Sequence, residues 1–353
     1  MNYLYNSFVN DSLDNVPPLT VDTSTNDDTS PDTSTNDDTS PDTSTNDDTS
    51  PDTSTNDDTS PDTETKIATQ TEEKQFSFIY SIPFFNILVF PTIEKQHTYK
   101  TLFYYQTFSS LDPIINLKMK TNNDIYVYIS SVHFGQVNNI PYIGINDNPI
   151  DKQGTLWDDA LKAHKNNVNM MLMLGGAGGA YTVLFSNFEV YYNKLYELLN
   201  EKRYIKGIDL DIEESVKLID VKMLITRLKK DFGSNFIITM APVASSLMYD
   251  MPGMGDFVYK DLYDSKEGEL ISWYNVQSYS EFTFDIYNAI VINGYTPDKV
   301  VFGMLGNNFN SNTMLSASNE ITKIKTKYPL MAGSILWEYG DTTINPIEWA
   351  IGV

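Results

Sequence analysis

The chain has 353 residues, 47 acidic against 24 basic side chains, a formal net charge of −23 and no cysteine. The missing cysteine excludes disulfides, thiolate metal sites and cysteine nucleophiles. The charge is uneven: residues 1–64 hold 16 acids and no Lys or Arg, so the remainder carries only about −7. Neither part has a basic patch, which argues against nucleic acid as a partner.

The first twenty residues lack the basic start and apolar core of a secretory signal. Residues 21–60 hold four near-identical copies of a ten-residue unit, Asp-Thr-Ser-Thr-Asn-Asp-Asp-Thr-Ser-Pro in running form, and a fifth starts at Pro61 and breaks off at Glu64. The unit has almost nothing apolar to bury and cannot offset the entropy of ordering. Residues 1–66 are therefore expected to be a disordered acidic tail acting as a spacer, a solubilising arm or a modification target. Residues 67–98 read as a connecting segment. Its apolar run, Phe76–Ile93, approaches a membrane span in length, but Pro83, Asn86 and Pro91 interrupt it. A strand pair packed on the main domain is the preferred reading and a signal anchor the alternative; no membrane span is favoured.

Residues 99–353 alternate apolar strands with amphipathic helices. The expected strands are Lys100–Phe108, Ile125–Val132, Asn169–Leu174, Ile205–Glu213, Phe236–Pro242, Ile271–Tyr279, Val300–Leu305 and Gly333–Glu338. Helical spacing marks Thr155–Asn166, Asn187–Lys202, Val216–Phe232, Phe284–Asn293 and Leu315–Lys327. Eight such units predict an α/β fold, a (β/α)8 barrel whose active site gathers at the carboxyl ends of the strands.

In the fourth strand, Lys206-Gly207-Ile208-Asp209-Leu210-Asp211-Ile212-Glu213, acids alternate with apolar residues. Alternation puts Asp209, Asp211 and Glu213 on one face. Three carboxyls this close cannot all ionise, so at least one stays protonated and can act as a general acid. The third strand runs into Gly175-Gly176-Ala177-Gly178-Gly179-Ala180-Tyr181. A glycine turn there could cradle phosphate, but the spacing is not that of a P-loop and no Lys-Ser or Lys-Thr follows. The three histidines, His97, His133 and His164, lack metal-ligand spacing and read as ordinary core or surface imidazoles.

The fourth strand resembles the Asp-Gly-x-Asp-x-Asp-x-Glu signature of glycoside hydrolase family 18, the chitinases and endo-β-N-acetylglucosaminidases. Gly207, Asp209, Asp211 and Glu213 match it, and Lys206 replaces the first Asp. Weaker resemblances support it. Gly175 and Gly176 resemble the family's Ser-x-Gly-Gly, with Met173 in place of Ser, and Ala180-Tyr181 is similar to the Ser-Tyr of plant chitinases. Thr239-Met240-Ala241-Pro242 contains the family's Met-Ala-Pro. Gln277-Ser278-Tyr279-Ser280 resembles its Gln-x-Tyr-Asn, and Trp337 matches the Trp at the end of its eighth strand. Trp157, Trp273 and Trp349 read as packing.

The resemblance implies retaining, substrate-assisted hydrolysis of β-linked N-acetylglucosamine with no cofactor and no metal. Glu213 would be the acid and then the base. Asp211 would orient the substrate's acetamide, Tyr279 would hold the acetamide oxygen, and Asp209 would tune Asp211. Gly175, Gly176, Tyr181, Met240, Gln277 and Trp337 would bind substrate. Chitin or chito-oligosaccharide is the expected substrate. The N-glycan core and a non-catalytic, lectin-like glycan-binding role are the alternatives, and a structural protein whose acidic repeat is the working part is a further one.

Overall fold

The computed structural model describes residues 97–146, 148–308 and 311–353. The acidic repeat and the run Phe76–Ile93 lie outside the described residues, apart from which no described helix is long and apolar enough to cross a membrane.

Ten strands form one sheet: β1 (Lys100–Tyr105), β2 (Asp124–Val137), β3 (Ile140–Ile145), β4 (Asn148–Pro149), β5 (Asn169–Gly175), β6 (Ile205–Asp211), β7 (Ile237–Met240), β8 (Trp273–Gln277), β9 (Val300–Leu305) and β10 (Gly333–Trp337). Eight of them are parallel and close on themselves in the order β1-β10-β9-β8-β7-β6-β5-β2, with β1 pairing β2. This is the (β/α)8 barrel expected from the alternation of elements. The other two belong to an antiparallel extension: β2 runs past the barrel rim and pairs back with β3, which pairs with β4.

Side-chain alternation builds two cores. Leu102, Tyr104, Tyr126, Tyr128, Met171, Met173, Ala241, Trp273, Val301 and Ile335 pack together inside the barrel. The residues between them, such as Phe103, Val127, Leu172, Leu210, Ile238, Met240, Val276 and Phe302, face the surrounding helices. Both faces of each strand are buried, which is why the strands read as continuous apolar runs.

The main helices are α1 (Asp112–Lys118), α2 (Leu156–Lys165), α3 (Ala180–Ser186), α4 (Phe188–Glu201), α5 (Leu218–Phe232), α6 (Ala244–Met248), α7 (Tyr259–Tyr263), α8 (Phe284–Ile292), α9 (Ser311–Lys327) and α10 (Pro346–Gly352). In α5 the buried face is Val221, Leu224, Ile225 and Leu228, at three- and four-residue spacing, and Gly233 ends the helix at φ +86°. In α2 acids occupy the first turn and Lys162, His164 and Lys165 the last, which suits the helix dipole.

Five expected strands end early, among them β7 at Met240 rather than Pro242 and β10 at Trp337 rather than Glu338. β1 stops at Tyr105 because the buried Glu338 carboxylate accepts the N–H groups of Gln106 (2.7 Å) and Thr107 (3.0 Å) and turns the chain away from the ladder. β6 stops at Asp211 and β8 at Gln277, so Glu213 and Tyr279 each stand two residues past a strand end, on the barrel mouth.

Candidate active site

β6 carries the acids inward. Asp209 has no exposed surface and Asp211 is 3% exposed, while Glu213 at the rim is only partly buried. Asp209 is held by three donors from neighbouring strands: the hydroxyl of Tyr104 (2.8 Å), that of Thr239 (2.5 Å) and the amide of Asn275 (3.0 Å). Trp273 Nε1 in turn donates to Asn275 Oδ1 at 3.0 Å and fixes which end of the amide faces Asp209. Burial raises the Asp209 pKa from 3.8 to about 6, with the three donors opposing it.

Asp211 is pushed well above the carboxylate range by burial, then by the charges of Glu213 and Asp209. Glu213 is raised by burial, against the amide of Gln277. Gln277 Nε2 faces three acceptors: Ala241 O at 2.9 Å, Asp211 Oδ1 at 3.0 Å and Glu213 Oε1 at 3.4 Å. Two N–H groups cannot satisfy all three fully, so Asp211 and Glu213 share one donor. Burial and mutual repulsion both disfavour a doubly charged pair, so the loss of its last proton is pushed upward.

Tyr279 is raised well above 10 by burial and by the charges of Asp211, Glu213 and Asp209. It stays a phenol and can donate a hydrogen bond. Trp337 ends β10, half-buried, its ring 5.0 Å from that of Tyr104. In an eight-strand ring β10 and β6 lie four places apart, so Trp337 and Glu213 face each other across the mouth.

The glycines after β5 earn their place sterically. A Cβ on Gly175 (φ +99°) would lie 2.2 Å from Asp211 O, an impossible approach. One on Gly176 (φ +76°) would come within 3.5 Å of Asp211 Oδ2 and 3.0 Å of Met173 Cε. The Gly176 N–H donates to Asp211 O at 2.8 Å, so this turn abuts the central acid.

Four residues expected to bind substrate are buried: Gly175 and Gly176 against Asp211, and Met240 and Tyr181 behind the strands. Met240 is fully buried in the layer between strands and helices, because it points outward while its neighbours Thr239 and Ala241 point in. Tyr181 is fully buried in the same layer, its hydroxyl donating to Leu174 O at 2.8 Å. Both support the site from behind. Tyr104, Thr239 and Asn275 were not singled out in sequence, though Thr239 and Asn275 sit two residues before Ala241 and Gln277 on strands already placed. Lys206, the departure from the family signature, is exposed at the start of β6, away from the mouth.

Among the described residues no group of three or more His, Asp or Glu side chains is arranged to hold a metal ion. The arrangement offers two neighbouring carboxyls that resist double charging, the outer one on the mouth, with a phenol donor and an indole face opposite. No protein-family model and no curated protein matches the sequence. Solved structures do. A fungal endo-β-N-acetylglucosaminidase of glycosyl hydrolase family 18 is 30% identical at a TM-score of 0.62, over 72% of this chain and 96% of that one. A chitinase from Aspergillus fumigatus is also 30% identical, with a TM-score of 0.62, over 72% of this chain and 97% of that one. A family 18 chitinase from Pseudoalteromonas aurantia, at 18% identity and a TM-score of 0.54, shares the fold. With 30% identity along nearly the full length of two such structures, this chain is a glycosidase-type enzyme and belongs to glycosyl hydrolase family 18.

Proposed function

We propose that this glycoside hydrolase cleaves β-1,4-linked N-acetylglucosamine in chitin or chito-oligosaccharides, with retention and with the substrate's acetamide as nucleophile. The observation that carries the proposal is the row Asp209, Asp211 and Glu213, climbing from a buried, triply hydrogen-bonded carboxylate to a partly exposed one. In this reading Glu213 protonates the leaving oxygen. The acetamide carbonyl oxygen attacks the anomeric carbon, and an oxazolinium ion forms as the glycosidic bond breaks. Asp211 accepts the acetamide N–H and offsets the positive charge. Tyr279, kept protonated by its acidic neighbours, donates to the acetamide oxygen. Glu213, now ionised, takes a proton from water, which opens the ring with overall retention.

Gln277 suits this proton traffic. Its N–H lies nearer Asp211 than Glu213, which offsets part of the burial that resists charge on Asp211. Trp337 would supply the floor for the sugar whose bond is cut, since pyranose C–H faces stack on indole.

The N-glycan core is the second reading, favoured by the equal likeness to the fungal endo-β-N-acetylglucosaminidase. Product analysis on chitin oligomers beside a high-mannose glycoprotein separates the two. Shortened chito-oligosaccharides with an intact glycoprotein support the proposal, and release of the glycan alone overturns it. Binding without turnover, in wild type and Glu213→Gln alike, would instead make the chain a lectin. The acidic tail we assign a spacing role that leaves the chemistry untouched.

A further inference from the structure

Glu214 follows Glu213 directly, and a bend past the end of β6 sends it the opposite way. Asp209, Asp211 and Glu213 face the barrel mouth, while Glu214 faces the turn between β5 and α3. There its carboxylate accepts the backbone N–H of Tyr181 (2.6 Å), the backbone N–H of Thr182 (3.0 Å) and the Thr182 hydroxyl. Gly179, the residue that opens α3, supplies no side-chain cap of its own. A carboxylate from another element takes that place.

The same turn is tied to β6 at a second point. Gly176 N–H donates to Asp211 O at 2.8 Å. Asp211 and Glu214 flank Glu213 in the chain, so the segment from Gly176 to Thr182 holds the Asp211 carbonyl on one side of it and the Glu214 carboxylate on the other. Past Asp211 the strand ladder has ended, and no sheet hydrogen bonds hold Glu213. On its own side chain the one hydrogen bond that reaches Glu213 is the long 3.4 Å contact from Gln277. Position there depends on the flanking clamps.

We infer that Glu214 is a positioning residue for the reaction: its bonds to the α3 turn fix the direction in which Glu213 delivers its proton. The inference rests on the functional reading above. A displacement of about 1 Å at a reacting group costs on the order of 100-fold in rate, so loosening one of two clamps has a measurable effect.

The test uses leaving groups that differ in how much they need an acid. An alkyl sugar oxygen must be protonated to depart, whereas 2,4-dinitrophenolate leaves without help. kcat/KM reports binding and bond breaking and is blind to the later hydrolysis step. For Glu214→Gln in the full chain, kcat/KM on chitotetraose is expected to fall roughly 10- to 100-fold, the range set by a misplaced acid. On a 2,4-dinitrophenyl N-acetylglucosaminide it should fall no more than about threefold, since little acid catalysis is left to lose. Thr182→Val removes only the hydroxyl contact and should show the same pattern, more weakly. It decides the matter if Glu214→Gln does not fold. Equal losses on both substrates, or no loss on either, overturn the inference. A wild-type chain that cleaves neither substrate overturns the functional reading and the clamp with it.

Discussion

Replacing Thr239 by Val tests how the barrel interior sets the charge on Asp209. The swap keeps the branched shape and removes one hydroxyl, which donates to Asp209 Oδ1 at 2.5 Å in a fully buried site. A hydrogen bond to a charged group contributes about 1.5–3 kcal/mol, and 1.36 kcal/mol is one pH unit. The Asp209 pKa, now about 6, should therefore rise by roughly one to two pH units. The sign for stability follows from proton counting. Between 3.8 and about 6 the folded chain holds a proton that the unfolded chain has lost, so stability falls as pH rises through that window and is flat above it as far as this group goes. In the variant the fall continues to higher pH. Urea unfolding followed by fluorescence of the buried Trp273 and Trp349 measures this. The difference between wild type and Thr239→Val should be about 1.5–3 kcal/mol larger at pH 8.5 than at pH 4. A difference that does not change with pH would refute the reasoning, because the hydroxyl would then be ordinary packing and not a partner for charge.

Other outcomes follow from the same geometry. Gln277→Leu removes the donor shared by Asp211 and Glu213; kcat should fall on the order of tenfold and the acid limb of the pH–rate profile should move to higher pH, since the lost N–H had favoured the ionised forms. Gly176→Ala places a methyl 3.5 Å from Asp211 Oδ2 at a φ of +76°; activity should fall more than about tenfold while the melting temperature drops by a few degrees, as a strained non-glycine residue costs on the order of 1 kcal/mol. Removal of residues 1–66 should leave kcat/KM unchanged, since every proposed site residue lies between Tyr104 and Trp337; a large loss would bring the tail into catalysis.

Much of this was legible before folding, for identifiable reasons. Acids at 209, 211 and 213 stand out because a strand buried on both faces has no other cause to carry charge. Trp273 and Trp349, read as packing, are 4% and 1% exposed. Tyr104 was hidden for the opposite reason: Phe103-Tyr104-Tyr105 is aromatic throughout, so nothing local shows which ring turns inward, and only barrel closure brings it to Asp209, 105 residues away. The Met-Ala-Pro triplet points to Met240, whereas strand alternation turns Thr239 and Ala241 inward and Met240 toward the helices. The ring of Tyr181 turns into the layer behind the strands, its hydroxyl on Leu174 O, which no local pattern shows. The short helices α1, α3, α6, α7 and α10, of five to seven residues, fall below the length at which periodicity is distinctive.

The most direct test is Glu213→Gln assayed on chitotetraose. A glutamine keeps the size and the contact to Gln277 but has no proton to give. The account predicts that kcat/KM falls by at least about 100-fold, within the range that general acid catalysis supplies, with the fold and the affinity for the oligosaccharide retained. Turnover within a few-fold of wild type would contradict it.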